Sequence, residues 1–210
     1  MKKFTTLLCI LTCVTSVSFA QRMRTGTTEF GFNIGYNSAN VTYSGRGNNS
    51  GNVDGFNLGF SAEHYFNNRW SIKGKLIYDQ KGFGDGFVAF PDGSEIDGVD
   101  FHLNYLTIPV MANWHFGRTR NWYLHFGPYV GFLLDANESS NSGVNVKDFF
   151  HTADFGLDAG IGVKFPVSRY VKLFIEADGQ GGFTNIFQGS DGTYQNFRSS
   201  INFGVLFPLR

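Results

Sequence analysis

From Phe30 to Asn37 the chain alternates residue by residue: Phe30, Phe32, Ile34 and Tyr36 fall on one side of an extended backbone, Gly31, Asn33, Gly35 and Asn37 on the other. A period of two belongs to a strand, where successive side chains point to opposite faces. The pattern recurs when Phe56, Leu58, Phe60, Ala62 and Phe66 alternate with Asn57, Gly59, Ser61, Glu63 and Tyr65, with His64 as the one misfit. Further strands are expected at about 70 to 81, 102 to 116, 122 to 134, 154 to 166, 171 to 182 and 196 to 209, an even count of eight. After Gln21 no run of 18 apolar residues occurs. A chain with this pattern crosses a bilayer only as a closed barrel, because every backbone polar group there needs a protein partner. The 27 glycines also argue against a helical chain, since each interior Gly costs a helix roughly 1 kcal/mol.

The N-terminus bears on the compartment. Lys2 and Lys3 precede an apolar stretch from Phe4 to Val14, and Ser18-Phe19-Ala20 supplies small residues at both positions read by signal peptidase. Residues 1–20 are therefore expected to be a cleaved signal peptide and 21–210 an outer-membrane β-barrel domain. Cys9 and Cys13 both lie in the leader, so the exported domain carries no disulfide, thiolate nucleophile or Cys metal ligand. Without Lys2 and Lys3, 15 basic residues face 17 acidic ones. No concentrated basic face exists for a nucleic acid.

The connections alternate in length. Asn67 to Arg69, Gly117 to Asn121 and Pro166 to Tyr170 are tight turns, whereas 38–52, 83–101, 135–153 and 183–195 are long, Gly-, Asn-, Ser- and Asp-rich, and expected to be exposed and mobile. An up-and-down meander collects its tight turns at one end, as bacterial outer-membrane barrels do at their periplasmic side. Phe66, Trp70, Trp114, Phe116, Trp122, Tyr123, Phe165 and Tyr170 flank these turns. An aromatic band of this kind suits the boundary between hydrocarbon and headgroups.

Hairpin pairing tests the two faces. About Asn68, Phe60 is expected opposite Leu76 and Leu58 opposite Tyr78, with Glu63 facing Lys73 and Asn57 facing Asp79. About Thr119, Trp114 meets Leu124 and Phe116 meets Trp122, while His115 meets Tyr123 and Asn113 meets His125. The third hairpin in its simplest register pairs Val163 with Leu173 and Ile161 with Ile175. It then opposes Lys164 to Lys172 and Asp158 to Asp178, which is unfavourable. Either that register is off by two residues or the charge partners come from other strands.

The polar face is mostly Gly, Asn and Ser, thin cover for a soluble exterior in a chain with 17% aromatic and 16% charged residues. Inverted, the pattern works: Phe, Leu, Ile and Val face lipid, while Glu63, Lys73, Lys75, Asp79, His115, His125, Lys164, Lys172, Glu176 and Arg198 fill the interior. Eight strands enclose room for side chains only, so a plugged lumen is expected.

Several segments resemble a known group. Asn104-Tyr105-Leu106-Thr107-Ile108-Pro109-Val110, Phe126-Gly127-Pro128-Tyr129-Val130-Gly131, Phe155-Gly156-Leu157-Asp158-Ala159-Gly160-Ile161-Gly162 and Thr184-Asn185-Ile186 are similar to PorT-family, OmpX/OmpA-like outer-membrane β-barrel proteins. The resemblance implies an all-β, eight-stranded antiparallel up-and-down transmembrane barrel in a Gram-negative outer membrane, in a family whose members mostly lack a defined biochemical activity. Ala177-Asp178 stands where such proteins often carry Arg-Tyr, and the chain ends Phe207-Pro208-Leu209-Arg210 rather than on an aromatic residue.

Candidate chemistry is thin. Gly82, Gly84 and Gly86 follow Lys81 in a long loop with no helix after them, so they do not make a phosphate cradle. Asp85, Asp92, Glu95, Asp97 and Asp100 cluster in loop 83–101 and are carboxylates of the type that suits Ca²⁺, but Ile96 breaks an EF-hand-like spacing and a solvated acidic loop explains them. His102, His151, Asp100, Asp148, Asp154, Ser139, Ser140 and Ser142 provide acid, base and nucleophile types near the long loops, with no nucleophile elbow to assemble them. His115 and His125 would both point inward, where a hydrogen-bond network accounts for them without a metal. The favoured reading is a monomeric, non-enzymatic outer-membrane barrel without catalytic, cofactor or metal sites. It would contact outer-membrane lipid and present loops 38–52, 83–101, 135–153 and 183–195 to envelope proteins or surface ligands. A narrow small-solute channel or sensor comes second. A lipid-modifying enzyme and a soluble periplasmic ligand-binding barrel follow.

Overall fold

The computed structural model describes residues 25–43, 50–89, 93–140, 146–189 and 192–209; the leader therefore lies outside the described residues. Eight strands form: β1 (Thr28–Tyr43), β2 (Val53–Tyr65), β3 (Trp70–Ala89), β4 (Glu95–Phe116), β5 (Trp122–Glu138), β6 (Ala153–Pro166), β7 (Lys172–Gly182) and β8 (Tyr194–Leu209). Each pairs antiparallel with its sequence neighbour, and β1 closes on β8 from Thr28↔Leu209 to Tyr43↔Tyr194. No described helix is long and apolar enough to cross a membrane.

The turns follow local chemistry. The Asn67 side-chain oxygen accepts hydrogen bonds from the Arg69 and Trp70 amides (2.8 and 3.0 Å), and Ser168 Oγ accepts from the Tyr170 and Val171 amides (3.2 and 3.1 Å). Such side-chain-to-backbone bonds are why Asn and Ser favour turns. The first two hairpins take the expected registers, including Glu63↔Lys73 and His115↔Tyr123. The third does not: Val163 pairs with Ile175, Ile161 with Ala177, Lys164 with Phe174 and Asp158 with Gln180. The Ser168 turn sets this two-residue offset, and it removes both like-charge oppositions.

The strands run further toward the long-loop end than periodicity indicated. Most of 83–101 is strand, and Gly82, Gly84 and Gly86 lie within β3 rather than in a loop. A register shift falls between Phe83 and Gly86, where Asp85 has φ 57°. Gly82, at φ 152°, brings its backbone so near that a Cβ would lie 2.0 Å from the Phe101 carbonyl oxygen. A second bulge, between Asn104 and Tyr105 on β4, skips Leu134 on β5, so that Leu133 and Ala136 both point inward. Alternation fails there because an extra residue on one strand reverses its phase.

Phe32, Ile34, Tyr36, Leu58, Phe126, Leu157 and Phe203 are exposed on the outer wall, with Ile34 at 58%, whereas Glu29, Asp79 and Glu176 are fully buried (0%). A surface so apolar around an interior so charged is the inverse of a soluble barrel. Trp70, Trp122, Phe66, Phe165 and Tyr170 are exposed in the turn-end band, and Trp70 pairs with Trp114 across β3 and β4. Tyr123 does not belong to that band: it points inward and is fully buried. His64, out of pattern in sequence, is exposed in the outward phase beside this band, where its Nδ1 lies 3.0 Å from Thr28 Oγ1 and its ring packs edge-on against Phe66.

Candidate functional site: the lumen and its mouth

The inward phase of the eight strands builds the interior. All ten residues assigned to it from the sequence are buried: Glu63, Lys73, Lys75, Asp79, His115, His125, Lys164, Lys172, Glu176 and Arg198. Glu29, Lys81, Asp154, Asp158 and Asp178 join them. Seven carboxylates thus meet five ammoniums and one guanidinium, close to neutral. A buried charge is tolerable only when paired and hydrogen-bonded, and three interlocked clusters provide this.

Near the turn end, Lys164 Nζ donates to Glu29 (2.9 Å), Glu63 (2.7 Å) and the Tyr65 hydroxyl (2.5 Å), and Lys172 donates to Glu29 (2.6 Å). In the middle, Glu176 accepts from Lys73 (2.7 Å), Lys75 and the Tyr123 hydroxyl (2.6 Å). Asp178 accepts from Arg198 (2.7 Å), Ser200 (2.8 Å) and Asn202 (2.9 Å), and Arg198 also pairs with Asp79 at 3.4 Å. Toward the long loops, Asp154 accepts from Lys81 (3.2 Å), Tyr129 (3.1 Å), Asn196 (3.1 Å) and Thr184 (3.0 Å). Lys73, Lys81 and Lys164 each also sit over tyrosine rings, which stabilises a desolvated cation further.

Above the ionic layer the lumen turns apolar, which strand periodicity did not disclose. Val41, Phe83, Val88, Val99, Phe101, Leu103, Tyr105, Leu133, Ala136, Val146, Phe150 and Ile186 form one buried cluster, with Phe187 and Tyr194 packed against it. Two of the long connections supply its lid. A short 3-10 turn, Lys147–Phe149, leads into Phe150, which bridges to Phe187. The His151 amide donates to the Ile186 carbonyl (2.7 Å) and the Gln188 amide to that of Phe149 (2.9 Å). Ala136, Val146, Phe150 and Ile186 thus pack from 135–153 and 183–195 into the mouth while Phe149, His151 and Phe183 stay exposed, so the expectation that these loops are exposed holds only in part.

Among the described residues the candidate catalytic groups are not assembled. Asp154 is a lumen anchor. Ser139 exchanges bonds with the Asp100 backbone (2.9 and 3.0 Å), and Ser140 Oγ donates to Glu138. His151 and Asp148 are exposed, His102 lies on β4 in the outward phase, and Ser142 and Asp92 fall outside the described residues. A Ser–His–Glu group does exist inside, where Ser71 Oγ and Glu63 Oε1 lie 3.1 and 2.9 Å from His115 Nε2. Both engage the same ring nitrogen, whereas a relay needs the carboxylate on the opposite one. The group is sealed in the lumen. Among the described residues, the group able to share a metal is His125, Glu176 and Asp178, with ligand atoms within 4.8 Å; His115 is not part of it. Lys75 stands between the two carboxylates, with Lys73 on Glu176 and Arg198 on Asp178, so their charge is already matched.

A family model described as the outer membrane protein beta-barrel domain matches residues 19–188. The chain belongs to this family. As an outer-membrane β-barrel protein it resides in the outer membrane, its Phe- and Leu-rich wall in lipid. Its fold is similar to OprG of Pseudomonas aeruginosa, at 12% identity and TM-score 0.55, with 90% of this chain and 99% of that one covered. It is also similar to Neisserial surface protein A, at 17% identity and TM-score 0.50, covering 85% and 96%. A third likeness is to AlkL, whose structure was determined in lipid bilayers, at 10% identity and TM-score 0.50, covering 89% and 92%. No curated protein matches it in sequence.

Proposed function

We propose that this protein is a non-catalytic outer-membrane barrel with an occluded lumen, acting through the surface its long-loop end presents outside the cell. The carrying observation is the double filling of the interior: a paired ionic layer beneath an aromatic lid. A solute crossing the barrel would have to break both. Cleavage of residues 1–20 as a signal peptide and a PorT-like affiliation within the barrel family fit this reading, the latter through the Asn104–Val110 and Phe155–Gly162 segments. Envelope proteins or surface ligands are the expected partners of the loops, and the barrel is a monomer.

Planar-bilayer recording tests the occlusion. The purified barrel should show no steady conductance steps, and reproducible ohmic channels would overturn it. Protease shaving of intact cells, with a pull-down from detergent extracts, identifies what the exposed loops engage.

A further inference from the structure

Among the described residues outside the lumen, the arginines lie at one end and the carboxylates at the other, with Lys147, whose Nζ donates to the Leu134 carbonyl (2.6 Å), the one cation at the carboxylate end. Segments 66–69, 117–121 and 167–171, the three tight turns, contain Arg69, Arg118, Arg120 and Arg169 and no Asp or Glu. Every described carboxylate side chain outside the lumen, from Asp54 to Asp148, lies instead in the long connections or the strand ends that feed them. Arg69, Arg118 and Arg169 are exposed. Local geometry fixes these turns: Asn67 Oδ1 holds the Arg69 amide, Ser168 Oγ holds the amide after Arg169, and Arg120 adopts φ 57°.

These arginines share their end of the barrel with Phe66, Trp70, Trp122, Phe165 and Tyr170, the exposed aromatic band. Such rings sit at headgroup depth, which places the guanidiniums at the phosphates of the same leaflet. A guanidinium offers phosphate a bidentate fork. The arrangement also distinguishes partners. The turns join β2 to β3, β4 to β5 and β6 to β7, so the charges are spread around the whole rim. A protein partner would call for one contiguous patch, whereas a lipid annulus touches the full circumference.

We propose that the turn-end rim binds the headgroups of anionic phospholipids in the leaflet it meets. The attraction of one arginine to an anionic surface amounts to roughly a fivefold preference, so enrichment around several should be several-fold.

The test uses the purified barrel in phosphatidylcholine nanodiscs containing an equal mole fraction of either brominated phosphatidylglycerol or brominated phosphatidylcholine. Trp70, Trp114 and Trp122 all report from the turn end. Brominated phosphatidylglycerol should quench them more strongly, and the difference should shrink at 1 M salt, where the screening length is about 3 Å. The R69Q/R118Q/R169Q variant should lose the difference and the corresponding Lys variant should keep part of it. Equal quenching of the wild type by both lipids at low salt would overturn the proposal. So would a difference that 1 M salt leaves unchanged, which decides the matter even if the Gln variant fails to insert.

Discussion

Lys73 on β3 and Glu176 on β7 form an ion pair of 2.7 Å across the lumen, between strands that are not neighbours in the wall. Lys75 and the Tyr123 hydroxyl converge on the same carboxylate. Removing it would leave two ammoniums inside without their shared partner. Glu176→Leu should destabilise the barrel by about 3–5 kcal/mol, the usual cost of orphaning a buried charge, measured by urea unfolding from lipid vesicles. A change under about 1 kcal/mol would mean that the network is solvated rather than sealed.

The lid should be separable from the ionic layer. Phe150 packs edge-on against Phe83 and Phe101 and tilted against Phe187, with ring centroids 5.1 to 6.3 Å away. Phe150→Ala should cost about 3–5 kcal/mol of cavity and transfer energy. Hydrogen exchange at the His151 and Gln188 amides, which tie the two loops together, should accelerate, while amides beside Glu176 stay protected.

How far the sequence revealed this depends on the range of the signal. Strand phase is local, and the alternation through Lys73, Lys75 and Asp79 is enough to turn all three inward. Which acid meets which base is not local: Lys73 and Glu176 are 103 residues apart and meet only because β1 closes on β8. The offset of the third hairpin came from one side chain, Ser168, and the bulge at Leu134 reversed the phase of β5 without a Gly or Pro to mark it. The lid was least legible, since Phe150 and Ile186 lie in irregular segments where no period sorts inward from outward.

Gly162 makes room for the ring of Tyr123: a Cβ there would lie 2.3 Å from Tyr123 Cζ. Gly162→Val should therefore push Tyr123 off Glu176 and cost about 1–3 kcal/mol through overpacking. In a Tyr123→Leu background the same substitution should cost less, and a double-mutant cycle gives the coupling.

Leu157, exposed in the outer wall, offers a test of the lipid face. Leu157→Arg should destabilise by about 2–4 kcal/mol if it lies near the bilayer midplane, read from the same unfolding equilibrium. Near-neutral behaviour would place that position in water.

Oily side chains face lipid and the charged ones are sealed within, and spin labels placed singly from Phe32 to Asn37 read out this arrangement residue by residue. Cys9 and Cys13, the chain's two cysteines, lie in the expected leader, so the mature barrel is a ready background for single cysteines. In bilayers, labels at 32, 34 and 36 should collide freely with dissolved oxygen, while those at 33, 35 and 37 should be immobile and shielded from both oxygen and a water-soluble nickel chelate. The opposite phase, with the even positions shielded and the odd ones open to the chelate, would contradict it.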